Sequence, residues 1–117
     1  MQTEERKLLA LQLFAAAAAM HALRYRKLLY QNELNQRDFL ISLSSAQAVK
    51  AKLCVAKPEI SRSLDTILAQ IIFAMNVVCT AEEAPNTYNP DWRYAHQVEH
   101  MSISCEHLMR FAELLGR

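Results

Sequence analysis

Apolar positions recur at spacings of three and four residues in four segments, divided by polar or proline-bearing breaks, the period of helices with one buried side. Thr3 suits the N-cap of a first helix, with Glu4 and Glu5 in the first turn where the helix dipole favours acids. The pattern predicts that this helix covers 3–31, passing through Arg24, Tyr25 and Leu28 without a break. Asn32–Asn35 forms a short polar connection, and Asn35 is the expected cap of a second helix over 36–56. Pro58 fits the first turn of a third helix, because its missing N–H has no intrahelical partner there. That helix, 58–83, carries Leu64, Leu68, Ile71, Met75 and Val78 on one face. Residues 84–89, with Pro85, make the one true loop, and a fourth helix follows over 90–115, ended by Gly116. Its seam is the most regular of the four: Tyr94, Val98, Met101, Cys105, Leu108, Ala112 and Leu115.

Four helices with mostly short connections predict an all-α, up-down-up-down bundle, a single compact domain spanning 1–117. The Ala15–Ala19 run leaves little between neighbouring helices and invites close approach of their backbones. Composition narrows the functional classes. One glycine in 117 residues excludes glycine-rich phosphate loops, dinucleotide folds and tight hairpins, all of which need backbone conformations that glycine alone adopts cheaply. A hydrophobic share of 52% with 21% charged residues describes a globular chain.

Net charge is only +1, but it is unevenly divided. Residues 1–62 hold ten Lys/Arg against five Asp/Glu, a balance of +5, and residues 63–117 hold three against seven, a balance of −4. The halves can attract each other, meet separate partners, or lie on solvated faces. Cys54, Cys79 and Cys105 lack zinc-type spacing and sit among apolar neighbours, which predicts buried thiols in a reducing cytoplasm. Leu8–Leu23 is an uncharged run that mimics a secretory signal, but Glu4 and Glu5 oppose the positive lead such signals carry. It is also shorter than the roughly 20 residues needed to cross a bilayer. No membrane role is expected.

The candidate chemistry concentrates on the fourth helix. Trp92, His96, His100, Ile103, His107 and Leu114 fall on one stripe nearly opposite its seam, with Arg110 and Phe111 at the edges. A helix that only covers a core is polar there. Aromatic, arginine and aliphatic groups on an outer face are the anchors of protein interfaces, so this stripe is the expected docking surface for a protein partner or a second copy. Burial of the helix on both sides is the alternative.

His96 and His100 stand one turn apart and together offer two ligands to a metal ion. The string His96-Gln97-Val98-Glu99-His100 resembles the H-x-x-E-H motif of inverted zinc peptidases. A catalytic zinc needs a third protein ligand, and di-iron bundles need Glu-x-x-His pairs, of which the chain has none. No cofactor or metal is therefore expected. Arg93 and His100 are separated by six residues, a spacing that resembles the R-x(4–6)-H motif of HEPN-type ribonucleases, small helical bundles that act as dimers. That resemblance covers one helix and implies His100 as general base toward a ribose hydroxyl and Arg93 as stabiliser of phosphate charge. Tyr94 departs from it, standing where that family usually has a small polar residue.

Other arrangements are weaker. Cys105 and His107, two apart on a helix, point to different faces. Ser44, Ser45, Ser61 and Ser63 lack the strand-turn-helix setting that activates a serine. His21, beside the alanine run, reads as a packed histidine. Arg24, Arg26 and Lys27 around Tyr25, with Arg37, Lys50, Lys52 and Lys57, offer phosphate contacts and a stacking ring, suited to nucleic acid within a larger assembly. They do not share one stripe. No small-molecule substrate is evident. The expectation is a non-catalytic cytoplasmic interaction protein (an adaptor, an inhibitor or a small subunit), with a HEPN-like ribonuclease as the alternative.

Overall fold

Helix boundaries in this chain are set by where backbone donors lose their partners. In a computed structural model, which describes the backbone of residues 1–23, 33–80 and 91–117 and all their side chains except 33, 35, 77–80 and 91–98, four helices form: α1 (Thr3–Leu23), α2 (Glu33–Ala56), α3 (Pro58–Thr80) and α4 (Asp91–Leu115). The Arg6 N–H donates to the Gln2 carbonyl at 3.0 Å. Gln2, not the expected Thr3, therefore occupies the cap position, and Thr3 is the first helical residue. At the other end of the bundle's first half, α2 begins at Glu33 instead of 36. Asn35 lies inside the helix, where it costs only several tenths of a kcal/mol, and Glu33 takes the first-turn place that the dipole favours.

Between α2 and α3 a single residue makes the corner. The Lys57 N–H donates to the Leu53 carbonyl at 2.6 Å, and the Lys57 carbonyl accepts from the Ser61 N–H at 3.1 Å. Pro58 thus stands at the first position of α3, as the sequence predicts, and excludes the helical conformation from Lys57 before it. The Ser61 hydroxyl, within a buried residue, donates back to the Lys50 carbonyl at 3.4 Å. Gly116 closes α4 by donating to the Ala112 carbonyl at 3.1 Å. The helix ends at Gly116 as expected, but its backbone is not left-handed, so a left-handed cap is not the reason for glycine here. A Cβ at 116 would lie 3.2 Å from the Ala10 Cβ, and the glycine lets α1 and α4 close together.

Each helix packs on two neighbours, α1 on α2 and α4, and α3 on α2 and α4. Ala10 lies beside Gly116 while His21 lies beside Ser102 and Glu106, so α1 and α4 run antiparallel. The architecture is the expected four-helix up-down-up-down bundle. One stripe from each helix fills its centre. Leu9, Leu13, Met20 and Leu23 come from α1, and Phe39, Leu43, Val49 and Leu53 from α2. Leu64, Leu68, Ile71 and Met75 come from α3, and Met101, Cys105, Leu108, Ala112 and Leu115 from α4. The predicted seams of α3 and α4 are confirmed from Leu64 to Met75 and from Met101 to Leu115; Val78, Tyr94 and Val98 fall outside the described side chains. Residues 24–32 and 81–90, including the expected ends of the first and third helices and the loop, also lie outside the description.

Burial corrects one prediction. Cys105 is buried, but Cys54 is exposed. Leu53 takes the inward position, and one helical step of about 100° turns Cys54 away. Cys79 lies outside the described side chains. The uncharged Leu8–Leu23 run is built into the bundle through its core residues. Among the described residues one stretch, Gln36–Ala56 of α2, has the length and apolar composition to cross a membrane, and less than a third of it is buried.

The core and surface of α2 make a direct test of this packing. Leu53 has 0% of its surface exposed and Val55 has 89%. Leu53→Ala is expected to cost about 2–5 kcal/mol, and Val55→Ala less than about 0.5 kcal/mol, in urea unfolding of the two variants. Equal losses would contradict the assigned orientation of α2.

Candidate functional site

Three helix surfaces carry the residues that the sequence singles out. On α4 the outer stripe is solvent-facing wherever it is described. His100, Ile103, His107, Arg110 and Leu114 are exposed, and Phe111 is half-buried against the core. Ile103 keeps 44% of its surface and Leu114 52%. Two-sided burial of this part of α4 is therefore not what the bundle shows. Arg110 Nη1 lies 3.2 Å from Glu113 Oε2, one turn along the same helix, and both side chains remain about half exposed. Such a pair contributes little to stability and leaves the guanidinium available. Trp92, Arg93 and His96 fall outside the described side chains, so the Arg93–His100 pair and the His96–His100 metal pair are not tested by the geometry. Among the described residues no group of three or more His, Cys, Asp or Glu side chains could hold a metal ion.

The contact between α1 and α4 was not legible as a site. His21 Nε2 lies 3.3 Å from Glu106 Oε1 and 3.4 Å from the buried Ser102 hydroxyl. Serine, histidine and glutamate together suggest a hydrolytic relay, but the atoms exclude one. A relay needs the acid on one imidazole nitrogen and the serine on the other. Here both oxygens face the same Nε2, so its proton, given to the carboxylate, leaves no acceptor for the serine hydroxyl. What the cluster does is give a polar partner to Ser102, one of two buried serines of α4 with Ser104. Ser102 and Glu106 are one turn apart on α4, but nothing local in the sequence pairs them with a residue more than eighty positions away.

Electrostatically, the two halves of the chain attract each other where they touch. Lys50 Nζ donates to Asp65 Oδ1 at 2.7 Å, joining α2 to α3, and His21 with Glu106 joins α1 to α4. The basic residues do not converge into one patch among the described residues. Lys50 is engaged with Asp65, Arg37 and Lys52 are exposed four turns apart on α2, and Lys57 is at the α2–α3 corner. Arg24, Arg26 and Lys27 lie outside the described residues. Cys54 opens into a groove of about 610 Å³ with Lys50, Arg62 and Asp65, and no histidine lines it to act as a base toward the thiol.

Comparison with known proteins finds no matching family model, no curated protein and no solved structure of significant similarity. The surfaces are therefore interpreted on their own chemistry.

The His21 cluster has a measurable energetic signature. A double-mutant cycle of His21→Ala and Glu106→Ala is expected to give a coupling of no more than about 1 kcal/mol, because both side chains are partly solvated. His21→Ala alone should cost about 1–2 kcal/mol in urea unfolding, through the loss of its contacts with α4. A coupling of several kcal/mol would mean a desolvated ion pair that the bundle does not show.

Proposed function

We propose that this chain is a non-catalytic helical interaction protein, an adaptor, inhibitor or small subunit of a larger assembly, that docks a protein partner through the outer face of α4. The observation that carries the reading is the exposure of Ile103 and Leu114 on the solvent side of a helix whose opposite side fills the core. Three turns separate them, with His107 and Arg110 between and Phe111 at the edge. An aliphatic pair flanked by imidazole and guanidinium groups matches the make-up of an interface centre with a polar rim. Arg37, Lys52 and Lys57 supply secondary contacts to an acidic partner surface or to nucleic acid within an assembly. The exposed Cys54 thiol suits a reducing cytoplasmic setting.

Ile103→Asp and Leu114→Asp test the reading directly. Both sites are exposed, so helicity and unfolding should stay within about 0.5 kcal/mol of the parent. A protein partner bound by the parent should be lost from both variants, seen as a drop in the mass of the complex. If either variant unfolds substantially earlier, or if the partner is retained, the face is not the docking surface. RNA cleavage by the parent that disappears in His100→Ala would replace this reading with the ribonuclease one; no cleavage by either is expected.

A further inference from the structure

From Leu8 onward the solvent side of α1 is mostly apolar, with Gln12 its exposed amide. No Asp, Glu, Lys or Arg occurs from Leu8 to Leu23. Leu8, Leu11 and Phe14 are exposed large hydrophobics, Leu11 at 68%, and Ala15, Ala19 and Ala22 are exposed beyond them. On the helical wheel Leu8, Leu11, Ala15, Ala19 and Ala22 form one stripe on the far side from Leu9, Leu13 and Met20. The surface continues onto α2 across a groove of about 530 Å³ lined by Gln12, Ala15, Ile41, Ser45, Ala48 and Lys52, where Ile41 is 59% exposed. The outer faces of α3 and α4 instead mix exposed Phe73, Ile103 and Leu114 with exposed Arg62, Asp65, Glu99, Arg110 and Glu113. A stretch of helix with large apolar side chains on both sides favours a cover on the outer one as well.

We infer that this face is a homodimer interface, with α1 packed antiparallel on the α1 of a second copy about a two-fold axis at Ala15. The assignment uses a different face from the α4 reading and does not depend on it. Side-chain size selects the occupant. Leu8 and Ala22 lie seven residues either side of Ala15, and Leu11 and Ala19 lie four either side. Reversing one copy places each leucine of the N-terminal half on an alanine of the other's C-terminal half, with Ala15 meeting Ala15. A parallel pairing would set leucine on leucine at one end and alanine on alanine at the other, wedging the helices apart. A two-fold contact requires such self-complementarity. The alanines also permit an interaxial distance near the 8 Å lower limit of helix packing.

Area agrees with this occupant. The stripe is about 21 Å long at 1.5 Å per residue. With Leu8 55%, Leu11 68% and Ile41 59% exposed, the stripe and its α2 flank make a small patch that fits the lower end of the range for stable interfaces, about 1,200 Å² for a pair. Moderate, concentration-dependent pairing follows. A lipid surface would favour large side chains throughout the stripe and gains nothing from its large-to-small gradient.

Sedimentation equilibrium of the full chain tests the inference. The mass should rise toward twice the 13.4 kDa monomer by about 200 µM, and Leu11→Glu or Ala15→Glu should weaken association at least tenfold. Both substitutions are at exposed positions of a helix that tolerates glutamate, so helicity should be unchanged. Register is read by cross-linking in a Cys54→Ser, Cys79→Ser background. Ala15→Cys should form a disulfide with its own copy, and Leu8→Cys should join Ala22→Cys but not itself. A monomer at about 200 µM, including one that instead sediments with phosphatidylcholine vesicles, overturns the inference, as does a dimer indifferent to Ala15→Glu. Ile103→Asp and Leu114→Asp should leave the dimer mass unchanged, which separates failure of this inference from failure of the α4 reading.

Discussion

Burial of one 4-3 stripe from each helix around a common axis is the interaction on which the rest of this molecule depends. The stripes consist almost wholly of Leu, Ile, Val, Met, Ala and Phe, so the core holds by area removed from water and by close packing, and among the described residues no whole charged side chain is buried in it. Each fully buried leucine contributes on the order of 1.5–3 kcal/mol. Once those stripes face inward, helical geometry decides what faces out. Ile103 and Leu114 on α4, and Leu8 and Leu11 on α1, are outside because their neighbours on the same helices are inside.

That constraint also explains how the polar contacts are spent. Lys50 with Asp65 fastens α2 to α3 near their shared corner, and His21 with Ser102 and Glu106 fastens α1 to α4 toward the other end. These contacts are partly solvated, and their value lies in fixing which faces meet more than in stability. The basic first half and acidic second half of the sequence become adjacent helix pairs, α1 beside α4 and α2 beside α3, joined among the described residues by Lys50 with Asp65.

Period-based features were legible in the sequence because a period survives without knowledge of neighbours. The seams from Leu64 to Met75 and from Met101 to Leu115, the break at Pro58 and the four-helix architecture all belong to this kind. Features that depend on tertiary contact were not. Cys54 has apolar sequence neighbours and is exposed, since burial follows angle on the wheel and not local composition. Gly116 reads as the end of the fourth helix, which it is, but its closeness to Ala10 does not show in the sequence, and His21 finds partners on the last helix that no local pattern announces. The alanine run reads as packing against neighbouring helices; Ala16 and Ala17 do so, while Ala15 and Ala19 face outward, a division that the run's uniform composition hides.

The molecule is thus a rod with an apolar core and two different outward faces, which we propose serve a foreign protein on α4 and its own copy on α1. Backbone amide NMR shifts followed on dilution from about 500 to 10 µM test that division most directly. Shifts should move along 8–22 of α1 and 41–48 of α2, while 100–114 of α4 stay fixed. Movement centred on Ile103 and Leu114 instead, or no movement anywhere over that range, would contradict it.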